Sequence, residues 1–383
     1  MPGEARALGE RTRVQTLVIG GGQAGLAVGY HLARREFSFL IIDANERTGD
    51  SWRNRWDSLR LFTPARYNAL PGMPLPGPAH SFSTKDEVAD YLEAYAARFD
   101  LPLRMSVKVD RLSRPGDRFV VDAGDQGFEA ENVVVAMASH QVPRVPPFAA
   151  ELDDGVVQLH SGEYRNPSGL QEGGVLVVGM GNSGAEIAME VATVRPTWLA
   201  GKESGLVPFR IDNALAKLVL LPLMFRFIGH RVLTVRTPVG RKARHKHLSH
   251  GAPLVRVQPR DLVVAGIERV PRVVGVVDGL PLLADGRILE VRNVIWCTGF
   301  RPDFSWIDLP VFGDAEEPSE PIHQRGVVVE EPGLYFVGLS FLYAMSSGFL
   351  PGVGRDARHV VEDMASHGSV TGPRPRRSAG RRP

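Results

Sequence analysis

Two copies of a glycine-rich sequence, each preceded by a run of apolar residues, constrain the fold of this 383-residue chain more than any other feature. The first copy is residues 20–25 (GGGQAG), and the second, about 160 residues later, is residues 179–184 (GMGNSG). Both fit the pattern G-x-G-x-x-G. Alone the pattern is weak, but between a strand and a helix it is the turn that binds dinucleotide phosphates. We therefore predict two dinucleotide-binding units in one chain.

The first glycine sequence lies between the elements that a dinucleotide site requires. Residues 14–19 (VQTLVI) are apolar and rich in β-branched side chains, which predicts a buried strand. Residues 26–34 have apolar side chains at helical spacing, and residues 37–42 (FSFLII) predict a second strand that ends at Asp43. Because strand, glycine turn, helix and acid follow in the expected order, we interpret residues 20–25 as a nucleotide-binding loop rather than a turn without a ligand.

Each part of this first loop has a physical role. Gly20 allows the tight strand-to-helix turn, Gly22 lets a pyrophosphate approach the backbone, and Gly25 lets the helix pack against the strand. The helix N-terminus offers free N–H groups to the phosphates. Asp43, eighteen positions after Gly25, is placed to accept hydrogen bonds from a ribose diol, which suits the adenosine half of FAD. The predicted ligands of FAD in this loop are Gly20, Gly22, Gln23, Ala24, Gly25 and Asp43.

The second glycine sequence has the same neighbours except for the acid. Residues 174–178 predict a strand and residues 185–192 predict a helix. The next strand, residues 197–200, ends in Gly201 and Lys202 with no carboxylate. A carboxylate there would repel the 2′-phosphate of NADPH, whereas a cation attracts it, so we assign NADPH to this site with Lys202 as the 2′-phosphate partner. The other predicted ligands are Gly179, Gly181, Asn182, Ser183 and Gly184.

Composition excludes several other classes of protein. The single cysteine, Cys297, rules out an internal disulfide and a Cys-x-x-Cys redox pair. His245 and His247 have no neighbouring cysteine or aspartate, so we predict no metal site. The net charge is only +2, and the basic excess lies in residues 367–383, which we predict to be a disordered tail rather than a nucleic-acid-binding segment. Without a long apolar run or a signal sequence, we expect a cytoplasmic protein with no integral membrane contact.

Five segments outside the two loops match motifs of a known family. They are residues 49–53 (GDSWR), 56–64 (WDSLRLFTP), 159–165 (LHSGEYR), 295–300 (IWCTGF) and 333–338 (GLYFVG). With these segments the chain resembles the flavin-containing monooxygenase superfamily, and most closely a bacterial group of flavoproteins related to the plant indole-3-pyruvate monooxygenases. The resemblance covers nearly the whole chain up to about residue 360.

The resemblance implies an α/β fold with two Rossmann-like dinucleotide-binding domains in three layers, like glutathione and thioredoxin reductases, the second inserted in the first. Residues 1–150 and 288–366 would form the FAD domain, and residues 151–287 the NADPH domain. The residues themselves, rather than the resemblance, leave two interpretations of the apolar insertion at residues 206–260. It is either a lid or substrate-pocket wall that contacts lipid or binds an acidic substrate, or a buried helix pair followed by a solvated basic turn. Further cofactor contacts are implied for Gly49, Trp52, Leu59, Val109, Thr298 and Gly299. By residue type alone, Trp52 is equally compatible with a core position under the helix.

The same resemblance implies oxygenation of a small organic substrate by O2. NADPH would reduce FAD, and the reduced flavin would react with O2 to give a C4a-hydroperoxyflavin that transfers one oxygen atom. No catalytic acid or base is assigned. The sequence departs from the family at Phe62, where many animal-type members have an asparagine that steadies the hydroperoxide. Two other functions therefore stay open: a flavin reductase or oxidase without oxygenation, and a non-enzymatic nucleotide-binding protein. Whether the chain forms a homodimer also stays open.

Overall fold

The structure is a computed structural model that describes residues 11–368 except 203–204, 208, 212, 214, 251–252 and 314–319. Of the tail predicted at residues 367–383, the first two residues are helical, and the remainder lies outside the described residues. None of the helices in the described part of the chain is both long and apolar enough to cross a membrane.

Sixteen strands are formed in the described part of the chain, and we number them in chain order. They are β1 (Thr12–Ile19), β2 (Phe39–Ile42), β3 (Leu103–Arg104), β4 (Arg111–Ser113), β5 (Phe119–Ala123), β6 (Gln126–Val135), β7 (Val142–Pro143), β8 (Val157–His160), β9 (Val175–Val178), β10 (Thr197–Ala200), β11 (Glu268–Val270), β12 (Val273–Val277), β13 (Leu280–Leu283), β14 (Asn293–Trp296), β15 (Phe300–Arg301) and β16 (Leu334–Phe336).

The α-helices are α1 (Gln23–Ala33), α2 (Asp50–Arg53), α3 (Lys85–Arg98), α4 (Asn182–Val191), α5 (Pro238–His250), α6 (Pro259–Val264) and α7 (Leu350–Gly368). Two stretches, Ala216–Leu220 and Leu223–Val232, have the wider π-helical hydrogen bonding. Short 3₁₀ turns occur at Ala65–Tyr67, Pro147–Glu151, Pro167–Gly169 and Met345–Gly348.

The strands form two main sheets, the first parallel except at β4 and β5 and the second fully parallel, which confirms the predicted α/β class. The first sheet has the order β3-β2-β1-β6-β5-β4, and β16 joins it beside β6. The second sheet has the order β11-β10-β9-β14-β8 and is parallel throughout. The chain thus leaves the first sheet after β6, builds the second, and returns at β16. The predicted domain boundary between residues 287 and 288 lies before β14, which in chain order is the last strand of the second sheet.

The C-terminal part of β1 and the whole of β9 are apolar without interruption because both faces of each sheet are covered there. In β1, Val18 packs into the core formed with α1, α3 and α7, whereas Leu17 and Ile19 pack into the core on the opposite face. In β9, Val177 packs against α4 and Leu176 packs on the other side. Parallel sheets are generally buried on both faces, which explains why these runs lack polar alternation.

Candidate nucleotide sites and the apolar cluster between them

The first glycine loop connects β1 to α1 and leaves space at one glycine only. Gly20 has φ +110°, and a Cβ there would lie 2.9 Å from the Ala136 carbonyl oxygen. A Cβ on Gly25 would lie 1.8 Å from the Gly20 carbonyl oxygen, whereas a Cβ on Gly22 would meet nothing within 4 Å. No side chain caps the N-terminus of α1. The loop therefore combines a close strand–helix contact with an open approach to unpaired N–H groups, as a pyrophosphate requires.

Asp43 lies at the end of β2, directly beside this loop. One of its carboxylate oxygens, Oδ2, accepts a hydrogen bond of 2.5 Å from the Gly21 N–H. The other, Oδ1, accepts from the backbone and side chain of Asn45 at 2.8 and 2.7 Å. These bonds hold the carboxylate against the loop, and an ionised carboxylate has further acceptor capacity for a ribose hydroxyl.

The second glycine loop connects β9 to α4 and repeats this geometry. Gly179 has φ +118°, and a Cβ on Gly184 would lie 1.8 Å from the Gly179 carbonyl oxygen. A Cβ on Gly181 would again meet nothing within 4 Å, and α4 has no side-chain cap. The residue packed behind this loop is Cys297, whose burial raises the pKa of its thiol to about 12. A thiol with that pKa is protonated at neutral pH and is a poor nucleophile.

The predicted NADPH ligands outside the glycines have different surroundings. Lys202 is exposed and follows Gly201, whose Cβ position is 3.1 Å from the Met180 backbone nitrogen, so the lysine lies at the edge of the loop. Asn182 has its side chain engaged, since Nδ2 donates to the Pro253 carbonyl and Oδ1 accepts from the Val255 N–H, both at 2.9 Å. Asn182 therefore links the loop to the middle segment of the chain.

Three further residues predicted to contact a cofactor, Gly49, Trp52 and Val109, pack against the helices or cores of the first sheet. Gly49 has φ +92° and lies so close to α3 that a Cβ would be 2.7 Å from the Ala89 carbonyl oxygen. Trp52 is half-buried and packs against the core beneath α1 and α3. Val109 packs against the core on the other face of the first sheet. Both the positive φ and the close approach to α3 favour glycine at position 49, and nothing in the sequence around it indicated the contact with α3.

The remaining predicted residues belong to the second sheet and its connections. Leu59 packs against the core of the second sheet. The Thr298 hydroxyl donates to the Arg144 carbonyl. The Gly299 carbonyl accepts from the Arg144 N–H at 2.9 Å and from His160 Nε2 at 3.0 Å. The structure thus brings the two connections between the sheets into contact at Gly299.

An apolar cluster that sequence reasoning did not define connects the two glycine loops. Its members come from the middle segment and from the connections of the first sheet. They are the buried Val207, Ile211, Leu221 and Val255, with the half-buried Phe62, Phe82, Phe209, Met224 and Met345 packed against them. We call these residues the apolar cluster. The signal in the sequence was the apolar run at residues 215–228, but its partners in the fold are distant in the chain.

Two hydrogen-bonded links join the apolar cluster to the loops. On the side of the first loop, Gln23 Nε2 donates to the Gly348 carbonyl at 3.0 Å. The next residue, Phe349, contacts Phe62 edge to face, with ring centroids 5.8 Å apart. On the side of the second loop, Asn182 binds the backbone of Val255. The cluster therefore lies between the two candidate nucleotide sites.

The chain is similar in sequence to known oxidoreductases. Residues 17–196 match the family model described as pyridine nucleotide-disulphide oxidoreductase. A CzcO-like oxidoreductase of Geobacillus kaustophilus, itself uncharacterized, is 40% identical over 356 residues, which are 92% of this chain and 99% of the relative. Indole-3-pyruvate monooxygenase YUCCA1 of Oryza sativa is 28% identical, covering 91% of this chain and 90% of the relative.

Solved structures of other proteins share the fold along 93% of this chain. The flavin-containing monooxygenase of Stenotrophomonas maltophilia superposes with a TM-score of 0.74 at 28% identity, covering 93% of this chain and 99% of the other. The bacillithiol disulfide reductase of Staphylococcus aureus superposes with a TM-score of 0.68 at 12% identity, which shows a shared fold alone.

These comparisons define an enzyme, a flavin-dependent oxidoreductase. Within that class, the chain belongs to the CzcO-like oxidoreductases of the flavin monooxygenase superfamily. The predicted membership of the flavin monooxygenase superfamily is confirmed, and so are the predicted cofactors, FAD and NADPH. Within the described residues no group of three or more histidine, cysteine or acidic side chains could hold a metal ion.

Proposed function

We propose that the chain is an NADPH-dependent, FAD-containing monooxygenase that inserts one oxygen atom of O2 into a small organic substrate. The observation that carries the proposal is the apolar cluster, linked to the first loop through Gln23 and Gly348 and to the second through Asn182 and Val255. An oxygenating flavoprotein needs such a dry region where its two cofactors meet, because water destroys the reactive oxygen species before it reaches a substrate.

In this proposal two Rossmann-like domains divide the cofactors between them. FAD binds at the first loop, with its pyrophosphate beside Gly22 and its adenosine ribose on Asp43. NADPH binds at the second loop, with its pyrophosphate beside Gly181 and its 2′-phosphate on Lys202. When bound, NADPH would supply hydride, and FAD would be the electron carrier that reacts with O2. The residues of the chain bind these groups, orient them and keep water away.

The apolar insertion at residues 206–260 is then the wall of the substrate pocket. Its residues Val207 and Val255 are buried against Phe62 and Phe82, which belong to the first half of the chain. A substrate held there touches both nucleotide sites and is shielded from solvent. The contacts with Phe62 and Phe82 favour this assignment over the alternative of a buried helix pair followed by a solvated basic turn.

The decisive experiment follows the flavin spectrum of the purified holoenzyme. The protein is reduced anaerobically with NADPH in a stopped-flow instrument and then mixed with O2. We expect a transient whose absorbance differs from that of both oxidised and reduced flavin and which lasts for seconds. Direct return to the oxidised spectrum, with stoichiometric hydrogen peroxide at every substrate tested, would contradict oxygenation.

A second candidate function is a flavin reductase or oxidase, favoured by one specific observation. Phe62 stands where many animal-type members have an asparagine, and its ring packs against Phe349 instead of offering a polar group. Reduction by NADPH without the transient would support this candidate, and failure of NADPH to reduce the flavin would exclude both.

A further inference from the structure

A cavity of about 1490 Å³ lies between the first sheet, α7 and the insertion. Its wall includes Gln15 in the middle of β1 and Gly333 directly before β16, whereas the first glycine loop follows the last residue of β1. The insertion contributes Arg241 of α5 to the opposite wall. Neither glycine loop, both of which the structure describes in full, lines this cavity. The cavity is therefore separate from the two candidate nucleotide sites.

Three guanidinium groups lie around one tyrosine ring at this cavity. The guanidinium carbons of Arg325, Arg355 and Arg236 are 4.2, 4.8 and 5.9 Å from the centroid of the Tyr343 ring. Of these residues, Arg236, Arg325 and Tyr343 line the cavity. Arg241 also lines it and donates to the Arg236 carbonyl at 3.2 Å, which places a fourth guanidinium beside the backbone of Arg236.

Within the part of the chain that the structure describes, these four guanidinium groups form ion pairs with one carboxylate, that of Asp356. Asp356 is fully buried, and its Oδ1 lies 3.3 Å from Arg355 Nε and 3.8 Å from Arg325 Nη2. Arg236 and Arg241 have no described carboxylate at ion-pairing distance. Burial lowers the pKa of the Arg325 guanidinium, and the charges of Arg355 and Arg236 act in the same direction against that of Asp356. The cluster thus has an excess of positive charge.

The acidic side chains of the cavity wall do not remove this excess. Glu320 forms an ion pair with Arg244, and Glu131 forms one with Arg118 at 2.8 Å. The remaining acid among the described lining residues is Asp363 on α7. With Asp363 counted beside Asp356, two carboxylates stand against the four guanidinium groups around the tyrosine. An anionic ligand in the cavity would offset the difference.

Arg325 occupies a turn position that does not favour arginine. Gln324 and Val327 exchange backbone hydrogen bonds of 2.8 and 3.1 Å, so Arg325 and Gly326 are the central residues of a tight turn. Both central residues have positive φ, +53° and +90°. Asparagine, aspartate or glycine is favoured at the first of these positions. The turn itself therefore does not account for the arginine, and such backbone outliers are concentrated at ligand-binding sites.

We propose that the cavity binds a small phosphorylated compound, whose phosphate contacts Arg236, Arg241 and Arg325. A phosphate monoester has close to two negative charges and three acceptor oxygens, which suits several guanidinium groups better than a carboxylate does. Val327 and Leu342 supply an apolar wall for the organic part of the ligand. This second ligand site does not depend on the function proposed for the nucleotide sites.

A ligand at this site would strengthen the contact between the insertion and the segment that follows β16. The Val235 N–H donates to the Tyr343 carbonyl at 2.8 Å, and the Met345 N–H donates to the Leu233 carbonyl at 3.0 Å. Met345 also packs against the apolar cluster. A phosphate that joins Arg236 to the other side of the cavity would stabilise this pairing, so we expect the bound ligand to raise the unfolding temperature.

The test measures binding by calorimetry on the FAD-containing protein saturated with NADP⁺, which occupies the second glycine loop. The probes are phenyl phosphate, benzoate and the neutral phenol, each at the same ionic strength. We expect phenyl phosphate to bind at least about tenfold more tightly than benzoate, and phenol to bind more weakly than both. Absence of binding by phenyl phosphate, or equal affinity for benzoate, overturns the proposal.

Variants assign the binding to the cavity. Arg236→Gln and Arg325→Asn should each weaken phenyl phosphate binding by about tenfold, since each removes one charge-assisted contact. Asparagine suits the turn at position 325, so this variant should fold. Arg34→Gln is the matched control, because Arg34 is exposed and its guanidinium carbon is 5.8 Å from the Tyr30 centroid.

The control should change the affinity by less than about twofold, because Arg34 is distant in the fold from the charges that would bind the phosphate. Wild-type affinity in both cavity variants, or an equal loss in the control, overturns the proposal. Flavin content and thermal unfolding of each variant report whether it folds.

Two further arms distinguish other sources of the phosphate. Phenyl phosphate is also titrated without NADP⁺, and we expect the same affinity. Binding that NADP⁺ abolishes would place the probe at the second glycine loop and overturn the proposal. The protein is then sedimented with phosphatidylcholine vesicles that contain phosphatidic acid, and we expect it to stay in solution. Cosedimentation that phenyl phosphate abolishes would identify a lipid headgroup as the ligand and overturn the assignment to a small compound.

Discussion

The Val255 N–H donates a hydrogen bond of 2.9 Å to the side-chain oxygen of Asn182, and the same amide donates from Nδ2 to the Pro253 carbonyl. One side chain of the second glycine loop thus fixes the backbone of the insertion that forms the apolar cluster. NADPH bound at that loop and a substrate bound on the cluster would therefore share a structural element.

Replacing Asn182 should weaken this coupling. Asn182→Ala removes both hydrogen bonds and leaves the Val255 N–H without its partner, at a cost of about 1–3 kcal/mol in the free energy of unfolding. We also expect a lower affinity for NADPH, because the loop loses its support. Thermal unfolding and NADPH titration measure the two effects. Asn54→Ala, at an exposed position, is the control. Wild-type values for both measurements would show that the contact has no role.

The open glycines can be separated from the packed ones by single substitutions to alanine. Gly22→Ala and Gly181→Ala add a methyl group where nothing lies within 4 Å, so both proteins should fold. Gly25→Ala adds a methyl group 1.8 Å from the Gly20 carbonyl oxygen and should prevent folding or greatly reduce the yield. In the proposed assignment, Gly22→Ala loses the yellow flavin, while Gly181→Ala keeps it and loses affinity for NADPH by about tenfold or more.

The outcome is read from the flavin spectrum after purification and from the rate of anaerobic reduction against NADPH concentration. Loss of flavin from Gly181→Ala with retention in Gly22→Ala would reverse the assignment of the two cofactors. Soluble, folded Gly25→Ala would contradict the close packing at that residue.

The glycine loops were predictable because their requirements are local. A tight turn, a helix N-terminus and an acid at the end of the next strand all lie within one short stretch of sequence, and each depends on residue type. The apolar cluster was not predictable, because its contacts are long-range. Gln23 and Gly348 are 325 positions apart, and Asn182 and Val255 are 73 apart. Local patterns carry no information about which distant backbone group a side-chain amide will bind.

Gly49 and Asn182 show two ways in which a motif leaves the role of a residue open. Gly49 matched a family motif that implies a cofactor contact. Its positive φ and its contact with α3 require glycine for packing, whether or not the residue also contacts a ligand. Asn182 matched the second glycine sequence, but its side chain binds the insertion. In both cases the residue type was compatible with two roles, and only the three-dimensional neighbours distinguish them.

Lys202 should determine the preference for NADPH over NADH. Lys202→Gln removes the charge assigned to the 2′-phosphate, so the apparent affinity for NADPH should fall about tenfold while that for NADH changes little. Steady-state NAD(P)H oxidation at constant ionic strength measures both. Lys108→Gln, an exposed lysine in the first sheet's connections, is the control for net charge. A parallel loss for both nucleotides would indicate a role unrelated to the 2′-phosphate.

Glu186 should make the stability of the protein fall as the pH rises through a defined window. Its carboxyl has a pKa of about 7 in the folded protein and an ordinary value of 4.5, so between these values the folded state holds a proton that the unfolded state has released. Stability from this group is therefore fully present below about pH 4.5 and is lost toward pH 7, by up to about 3 kcal/mol. Glu186→Gln should remove this dependence.

The measurement is the free energy of unfolding by urea at pH 5 and at pH 8, in wild type and variant. Other titrating groups affect both proteins alike, so the difference between the two proteins isolates Glu186. We expect the variant to gain stability relative to wild type between pH 5 and pH 8, because glutamine does not titrate, whereas Glu186 must take up a proton or be buried with its charge when the protein folds. An unchanged difference across this range would mean that Arg256 keeps Glu186 ionised in the folded protein, and the carboxylate would then balance the guanidinium charge at neutral pH.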